Sequence, residues 1–576
     1  MLKKLLSCVG EYKKYAILTP IVMLGEVAME VLIPLVMAFM VDNGINGNDT
    51  AYTVKMGLLM MLMAFFSLAC GALGGKFAAQ AGMGFAKNVR KKLFDKVQDF
   101  SFANVDKFST ASLVTRLTTD VTNVQNTFMM IIRMAVRSPF MFIFALIMAI
   151  SINAKLATVF LIAIPVLVVG MALIISKAFP RFEKMLSKYD ALNSRVQENL
   201  IGIRVVKAFV REKFEGEKFI ASADDVRDAQ VQAEKLVILG QPLMQIAMYA
   251  CIVAVIYFGG TMVIGGNMLI GQLSSFITYI TQILMSLMML SMIFVMTTIS
   301  MASMHRIVEI FDEVPDINDD NADSALLPAD GSIVFDNVSF SYAKDENNLN
   351  LKNIDLNIRS GETIGVIGGT GSAKSTLVQL IPRLYDVTDG RILVGGHDVR
   401  DYKIDNLRNE VAMVLQKNVL FSGTIKDNLR WGDENATDEE IIEACKQAQA
   451  HDFVMNFPDG YDTDLGQGGV NVSGGQKQRL CIARALLKKP KIVILDDSTS
   501  AVDTATDANI RHAFRTELAD TTTIIIAQRI SSVSEADRII VLDDGKIDAF
   551  DTHENLLRNN EIYREVYNSQ QKGAEE

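Results

Sequence analysis

Five cysteines in 576 residues, Cys8, Cys70, Cys251, Cys445 and Cys481, fall in no ligand-like or disulfide-like spacing. That excludes a disulfide-stapled scaffold and suggests no metal site; they read as small buried apolar side chains in a reducing compartment. A basic excess is also missing. Fifty-six Lys and Arg against 66 Asp and Glu leave a formal charge of −10, which argues against a nucleic-acid partner, since such a partner selects a basic face. No small-residue cleavage site follows the first apolar run, and that run is too long for the core of a cleavable leader. The first run is therefore expected to stay in the mature chain. Charge itself is nearly absent from several stretches of about 20 residues before residue 305, each long enough to cross a bilayer as a helix.

What is present divides in two. Half of the chain is hydrophobic, high for a soluble protein, and the excess lies in six expected spans: Tyr15 to Met40, Met56 to Phe77, Phe128 to Ile152, Leu156 to Ile175, Leu239 to Val263, and Gln272 to Met301. Basic residues near span ends favour the cytoplasmic side. Lys3, Lys4, Lys13 and Lys14 precede the first span, and Lys87, Arg90, Lys91, Lys92 and Lys96 follow the second, whereas Asp42 to Thr53 has no Lys or Arg. Both termini are thus expected in the cytoplasm. The expected division is a membrane domain over 1–310, a linker over 311–330 and a mixed α/β domain over 331–576.

Two inside segments, Ala78 to Thr127 and Lys177 to Lys235, are too long for turns and carry apolar residues at helical spacing, so membrane helices are expected to continue into the cytoplasm. The stretch Phe311 to Gly331 is acidic, with two prolines, and reads as a linker. Ser332 to Tyr342 alternates like an antiparallel strand, while Thr363 to Ile367 and Ile492 to Leu495 read as buried strands. Gln570 to Glu576 is expected to be a frayed tail.

The most specific signal is the turn Gly368-Gly369-Thr370-Gly371-Ser372-Ala373-Lys374-Ser375-Thr376 between a strand and a helix. Such a turn aims backbone N–H groups at phosphate oxygens, and the helix N-terminus adds partial positive charge. Lys374 would hold the β and γ phosphates, Ser375 would ligate Mg2+, and Thr376 would contact phosphate. The usual motif has Gly where this chain has Ala373. With helical dihedrals there the loop is undisturbed; with positive φ, Ala is strained. Asp496, ending an apolar strand, suits a hard ion that keeps its waters.

The order of these parts, followed by Val472-Ser473-Gly474-Gly475-Gln476 and Asp496-Asp497, resembles the ATPase domain of an ABC transporter. The six spans extend the resemblance across almost the whole chain, to exporter half-transporters. The resemblance implies ATP and Mg2+ as ligands, Gln416 as the residue contacting metal and attacking water, and Tyr342 as the ring stacking on adenine. It implies that Ser473 to Gln476 closes on ATP held by a second half-transporter subunit. It also implies that the cytoplasmic helix extensions end in short coupling helices touching the ATPase domains; Val105 to Asp120, with Arg116-Leu117-Thr118-Thr119-Asp120, and Arg195 to Phe209 resemble the family's two loop signatures. In the family the positions of Asp497 and Gln528 are usually Glu and His. Asp is one methylene shorter than Glu, and Gln cannot carry the charge that His can. The pairing of Asp497 with Gln528 resembles the degenerate-site subunit of heterodimeric bacterial multidrug exporters, embedded in the plasma membrane and handling hydrophobic or amphipathic small molecules. Two alternatives are a homodimer using Asp497 as a slow base, and an ATP-gated regulatory or channel-like subunit.

Within the first span Glu26 and Glu30 share a helix face, and Arg133 and Arg137 in the third are similarly spaced. Charges at membrane depth face a cavity or a partner, so a cation-attracting pathway and an internal salt bridge are both open. Methionines of the fifth and sixth spans (Met244, Met248, Met285, Met288, Met289, Met292, Met296) either line an adaptable apolar cavity or simply pack.

Overall fold

The computed structural model describes residues 1–320, 322–497, 504–517 and 520–575. The chain forms two units: Met1–Gln98 with Thr110–Glu313, and Asp99–Ser109 with Val314–Glu576.

In the first unit six apolar helices run Gly10–Ile45, Thr50–Gln98, Thr110–Ile152, Ala154–Ile201, Glu212–Ile264 and Ile270–Asp312. At 36 to 53 residues and about 1.5 Å per residue they span about 54–80 Å, roughly twice a hydrocarbon core. The expected cytoplasmic continuations are therefore helical. Outward apolar side chains such as Leu62, Phe65 and Leu161 are 63–74 % exposed, as suits a surface solvated by lipid. Small residues let helices approach: a Cβ on Gly82 would stand 2.2 Å from Met129 Cγ.

Polar contacts clip the first span to the sixth. Tyr279 donates to the Val31 carbonyl at 2.7 Å and Gln282 Nε2 to the Glu30 carbonyl at 3.0 Å. Between first and third spans, Arg137 Nη2 lies 2.8 Å from both Glu30 carboxylate oxygens and its Nε 3.4 Å from Glu26 Oε1. Of the two readings of these glutamates, the salt bridge is the one the side chains make. Met244 is buried, whereas Met285, Met288, Met292 and Met296 are 41–55 % exposed. Met171, Met244, Leu287, Met288 and Phe294 line an apolar cavity of 310 Å3.

The second unit is built on a six-stranded sheet in the order Lys546–Asp551, Arg538–Asp543, Thr363–Gly368, Thr522–Ile526, Ile492–Asp496, Val411–Val414. All neighbours but the first pair are parallel. The strand Ile492–Asp496 is buried throughout, and its side chains alternate between two cores: Val493 and Leu495 join helix residues such as Leu480 and Ile441, while Ile492 and Ile494 join Val366, Ile524 and the antiparallel layer. A period of two with both faces covered is why this segment is continuously apolar. That antiparallel layer pairs Leu351–Ile358, Ile333–Phe340, Asp389–Val394 and His397–Asp398. Residues beyond Val314 lie along this unit, where Asn406 Nδ2 donates to the carbonyls of Ser324 and Leu326 at 3.0 Å.

Register places the chemistry. Leu542 pairs with Gly368, Ile526 with Val366, and Ile526 with Asp496. The carboxyl ends of four parallel strands thus share one edge, where ligands of open α/β sheets bind. The tail expected to fray is helical: Glu561–Glu575 is one helix, amphipathic enough to pack Tyr563 fully, and Glu576 lies outside the described residues.

Candidate functional site: a phosphate loop facing two adjacent carboxylates

Thr363–Gly368 enters the glycine turn and Lys374–Gln379 leaves it as a helix. Gly368 has no alternative, because a Cβ there would stand 2.2 Å from the Leu542 carbonyl oxygen of the neighbouring strand. Cβ atoms on Gly369 and Gly371 would meet nothing within 4 Å among the described residues, so toward those residues this side of the turn is an open backbone cradle. Ala373 has φ +69° and ψ +28°. Of the two possibilities left by the sequence, the strained one holds: an L-residue with a Cβ occupies a left-handed position at a cost of about 1–2 kcal/mol.

Lys374 Nζ donates to the carbonyls of Gly368 and Gly369, each at 2.8 Å. Burial lowers its pKa, opposed by Asp497 and Asp496. Ser375 Oγ donates to Asp496 Oδ1 at 2.9 Å. Burial raises the pKa of Asp496, with the Ser375 bond and Lys374 opposing and Asp497 adding to the rise. Ser372 Oγ is buried with no hydrogen-bond partner among the described residues. An open cradle, an orphaned hydroxyl and a hydroxyl–carboxylate pair beside an ammonium fit a triphosphate with a hard divalent cation; the donor set for that ion would be Ser375 and Asp496.

Asp497 follows the strand with φ +47°, and its N–H donates to the Ile526 carbonyl at 3.1 Å. Its Oδ2 accepts from Gln528 Nε2 at 2.7 Å and from Gln416 Nε2 at 3.5 Å. The three residues that sequence singled out for handling water and γ-phosphate therefore converge on one oxygen. Gln570 Nε2 in turn donates to the Gln528 carbonyl at 2.8 Å.

Tyr342 is 47 % exposed, and its hydroxyl lies 3.0 Å from Thr376 Oγ1. It meets Phe340 and Tyr385 edge-on, at 4.8 and 5.1 Å between centroids. Ser473 caps the helix Gly474–Leu487: its Oγ accepts from Gln476 N at 3.3 Å while Gln476 Oε1 accepts from Ser473 N at 2.8 Å. This reciprocal box presents Gly474 and Gly475, without side chains, at the helix N-terminus. The structure thus gathers Lys374, Ser375, Asp496, Asp497, Gln416 and Gln528 at one edge, and puts Ser473 to Gln476 on a separate element. Sequence reasoning missed Tyr385 and Gln570. Tyr385 stood in no motif, and Gln570 lay in the supposed tail.

The ABC transporter transmembrane region family matches residues 17–287 and the ABC transporter family matches residues 351–500. The chain is 38 % identical to the ABC transporter ATP-binding protein YfiB of Bacillus subtilis (strain 168), over 99 % of this chain and 98 % of the relative. It is 32 % identical to an ATP-dependent lipid A-core flippase of Syntrophus aciditrophicus (strain SB), over 84 % and 80 % of the two. YgaD of Bacillus subtilis (strain 168), whose name assigns it provisionally to multidrug export, is 31 % identical over 99 % of both. A bacterial Atm1-family ABC exporter solved with ATP bound superposes with a TM-score of 0.83 at 25 % identity, covering 97 % of this chain and 98 % of that one.

Membrane helices and an ATPase unit on one polypeptide define an ATP-driven translocase. The chain belongs to the ABC transporter family, as an exporter half-transporter with six membrane-spanning helices and an ATP-hydrolysing domain.

Proposed function

We propose that this chain is the weakly hydrolysing half of a heterodimeric exporter of hydrophobic or amphipathic compounds in the plasma membrane, with its ATPase unit in the cytoplasm. Its own phosphate loop binds ATP, and its signature Ser473 to Gln476 completes the catalytic site whose phosphate loop belongs to the partner.

The observation that carries this reading is the 2.7 Å bond from Gln528 to Asp497. A general base must lie about 2.6–3.2 Å from the water it polarises, and a switch residue must hold the γ-phosphate. Here the shortened carboxylate is tied to the very amide that would have to reach the phosphate. Each altered side chain satisfies the other, and the amide adds no positive charge where His could. Gln416, 3.5 Å from the same oxygen, would divide itself between Asp497 and the metal. Mg2+ held by Ser375 and Asp496 would supply charge neutralisation of the β and γ phosphates; the chain's residues supply positioning, through Lys374 and the N–H groups of Gly369 to Ala373.

Closure of two ATPase units on ATP would turn the membrane cavity outward, with hydrolysis at the partner's site resetting it. The lipid flippase relative supports an amphipathic substrate, and the 310 Å3 cavity lined by methionine supports an adaptable apolar contact. A second subunit is supported by the helix Ile203–Ala208, which has no buried residue and is followed by Phe209 and Val210 at 73 and 80 % exposure.

ATPase activity of the chain purified alone, and mixed with its candidate partner, tests the reading. Activity only in the mixture, abolished by Glu→Gln at the partner's base and little changed by Asp497→Ala, is the expected result. Robust turnover by this chain alone that is lost in Asp497→Ala would show a working homodimer instead.

A further inference from the structure

Residues 99–109 belong to the ATPase unit although both their flanks run into membrane helices. Ser101 caps the helix Phe102–Phe108 through a box with Asn104, and its hydroxyl donates to Asp316. The cap and the Asp316 bond fix the helix in rotation. Phe102 and Asp106, four residues apart, then face the same way, and both meet Tyr385. The Tyr385 hydroxyl donates to Asp106 Oδ2 at 2.8 Å, and its ring meets Phe102 edge-on at 6.0 Å. Its loop is held from behind: Arg383 binds Asp386 at 2.9 Å, and Arg408 Nη2 donates to the Arg383 carbonyl at 2.8 Å.

The Tyr385 ring also abuts Tyr342, at 5.1 Å with planes at 88°. Edge-to-face contacts at this separation fix the orientation of the ring they touch. Tyr342 is tethered at its other end through its hydroxyl to Thr376 and Gln379, at 3.0 and 3.4 Å. A ring tethered by its hydroxyl and braced by two perpendicular aromatic neighbours, yet 47 % exposed, is a stacking platform set in advance. We propose that Tyr385 is a positioning residue: it transmits the placement of the 102–108 helix to the Tyr342 ring, so that Asp106 governs affinity for adenine nucleotides without touching them. This rests on the reading of Tyr342 as the ring that stacks on adenine. Because coupling of this kind is reciprocal, ATP must also steady the 102–108 helix, and a ligand without a base must not.

The test uses the full chain in nanodiscs, with equilibrium dissociation constants for ATP and for tripolyphosphate, which has the phosphates but no base. Tyr342→Ala is expected to weaken ATP at least fivefold and tripolyphosphate less than twofold. Tyr385→Leu should do the same, and Asp106→Ala should weaken ATP two- to fivefold with the same indifference of tripolyphosphate. Amide hydrogen exchange over 102–108 should slow with ATP and not with tripolyphosphate. If Tyr342→Ala weakens ATP while Tyr385→Leu and Asp106→Ala leave it within twofold, Tyr342 keeps its role and the relay is wrong. If Tyr342→Ala changes nothing, the platform itself is wrong. Equal loss of both ligands in Tyr385→Leu would mean a merely structural residue and overturn the proposal. Should Tyr385→Leu misfold, Tyr385→Phe, which removes only the bond to Asp106, decides: it must match Asp106→Ala, and the double variant must be no weaker than either.

Discussion

Gln570 holds the Gln528 loop from both sides: its Nε2 donates to the Gln528 carbonyl and its Oε1 accepts from Ile530 N, each at 2.8 Å. A residue six from the end of the chain thereby fixes the backbone that presents the switch amide to Asp497. Gln570→Ala should leave the buried Ile530 N–H unpaired at a cost of about 1 kcal/mol. Amide exchange at Ile530 should then quicken roughly fivefold, while nucleotide binding at Lys374 is unchanged.

Repairing the hydrolytic pair should require both members. With the partner's base disabled, Asp497→Glu alone remains facing an uncharged amide, and Gln528→His alone still has a short carboxylate. The double variant Asp497→Glu with Gln528→His is expected to raise phosphate release by about a hundredfold, the usual scale of a well-placed general base. Simple multiplication of two small single effects would count against the paired geometry.

Ala373→Gly should stabilise the chain. Relief of the left-handed Ala, less the extra freedom Gly has when unfolded, nets roughly 0.5–1 kcal/mol. A rise of about 1–4 °C in the unfolding midpoint of the ATPase unit is expected. No rise would place the strain elsewhere.

Affinity for ATP should fall at both ends of the pH scale. Burial lowers the pKa of Lys374 in the free chain, so its charge, and with it triphosphate affinity, is lost as pH rises, beginning below the ordinary Lys value of about 10.4. Binding an anion favours the ammonium, so complex formation should take up protons in that alkaline range. At the acid end burial raises the pKa of Asp496, so its carboxylate is protonated, and Mg2+-dependent affinity lost, beginning above about 3.9. Calorimetry in buffers of different ionisation enthalpy measures the proton uptake directly.

In the membrane unit, Arg137→Gln should be worse than Glu26→Gln or Glu30→Gln, because it strands two carboxylates. Breaking a fully buried pair costs about 3–5 kcal/mol; with the Arg137 side chain 26 % exposed, on the order of 2 kcal/mol is expected. Adding Glu30→Gln to Arg137→Gln should recover part of the loss in a detergent thermal scan. The ratio of cationic to neutral substrate export should be the same in Glu26→Gln with Glu30→Gln as in the parent.

Local patterns made the strands, the phosphate loop and the six long helices legible, because each is a run whose period or turn chemistry dictates its own backbone. Ala373 marks the boundary of that method: its neighbours announced the loop, but only the fold decides the sign of its φ. The Gln528 to Asp497 bond joins residues 31 apart and depends on the parallel register that sets Ile526 beside Asp496. Nothing local encodes it. Tyr385 was invisible for a similar reason, since its partners come from position 342 and from 102 to 106, far away in sequence. Gln570 was misread because a short polar tail looks frayed until the loop it clasps is known.

The ATPase unit is discontinuous in the chain, with residues 99–109 separated from the rest by about two hundred membrane-unit residues. During synthesis that small piece must therefore wait, unpaired, for Tyr385 and Asp316 to be made, while the intervening spans enter the bilayer. A fragment beginning at Val314 would fold without Phe102 and Asp106 against Tyr385, and its nucleotide affinity would describe a site whose aromatic wall is missing its outer brace. Assembly order, rather than sequence order, decides when this chain first has a finished place for ATP.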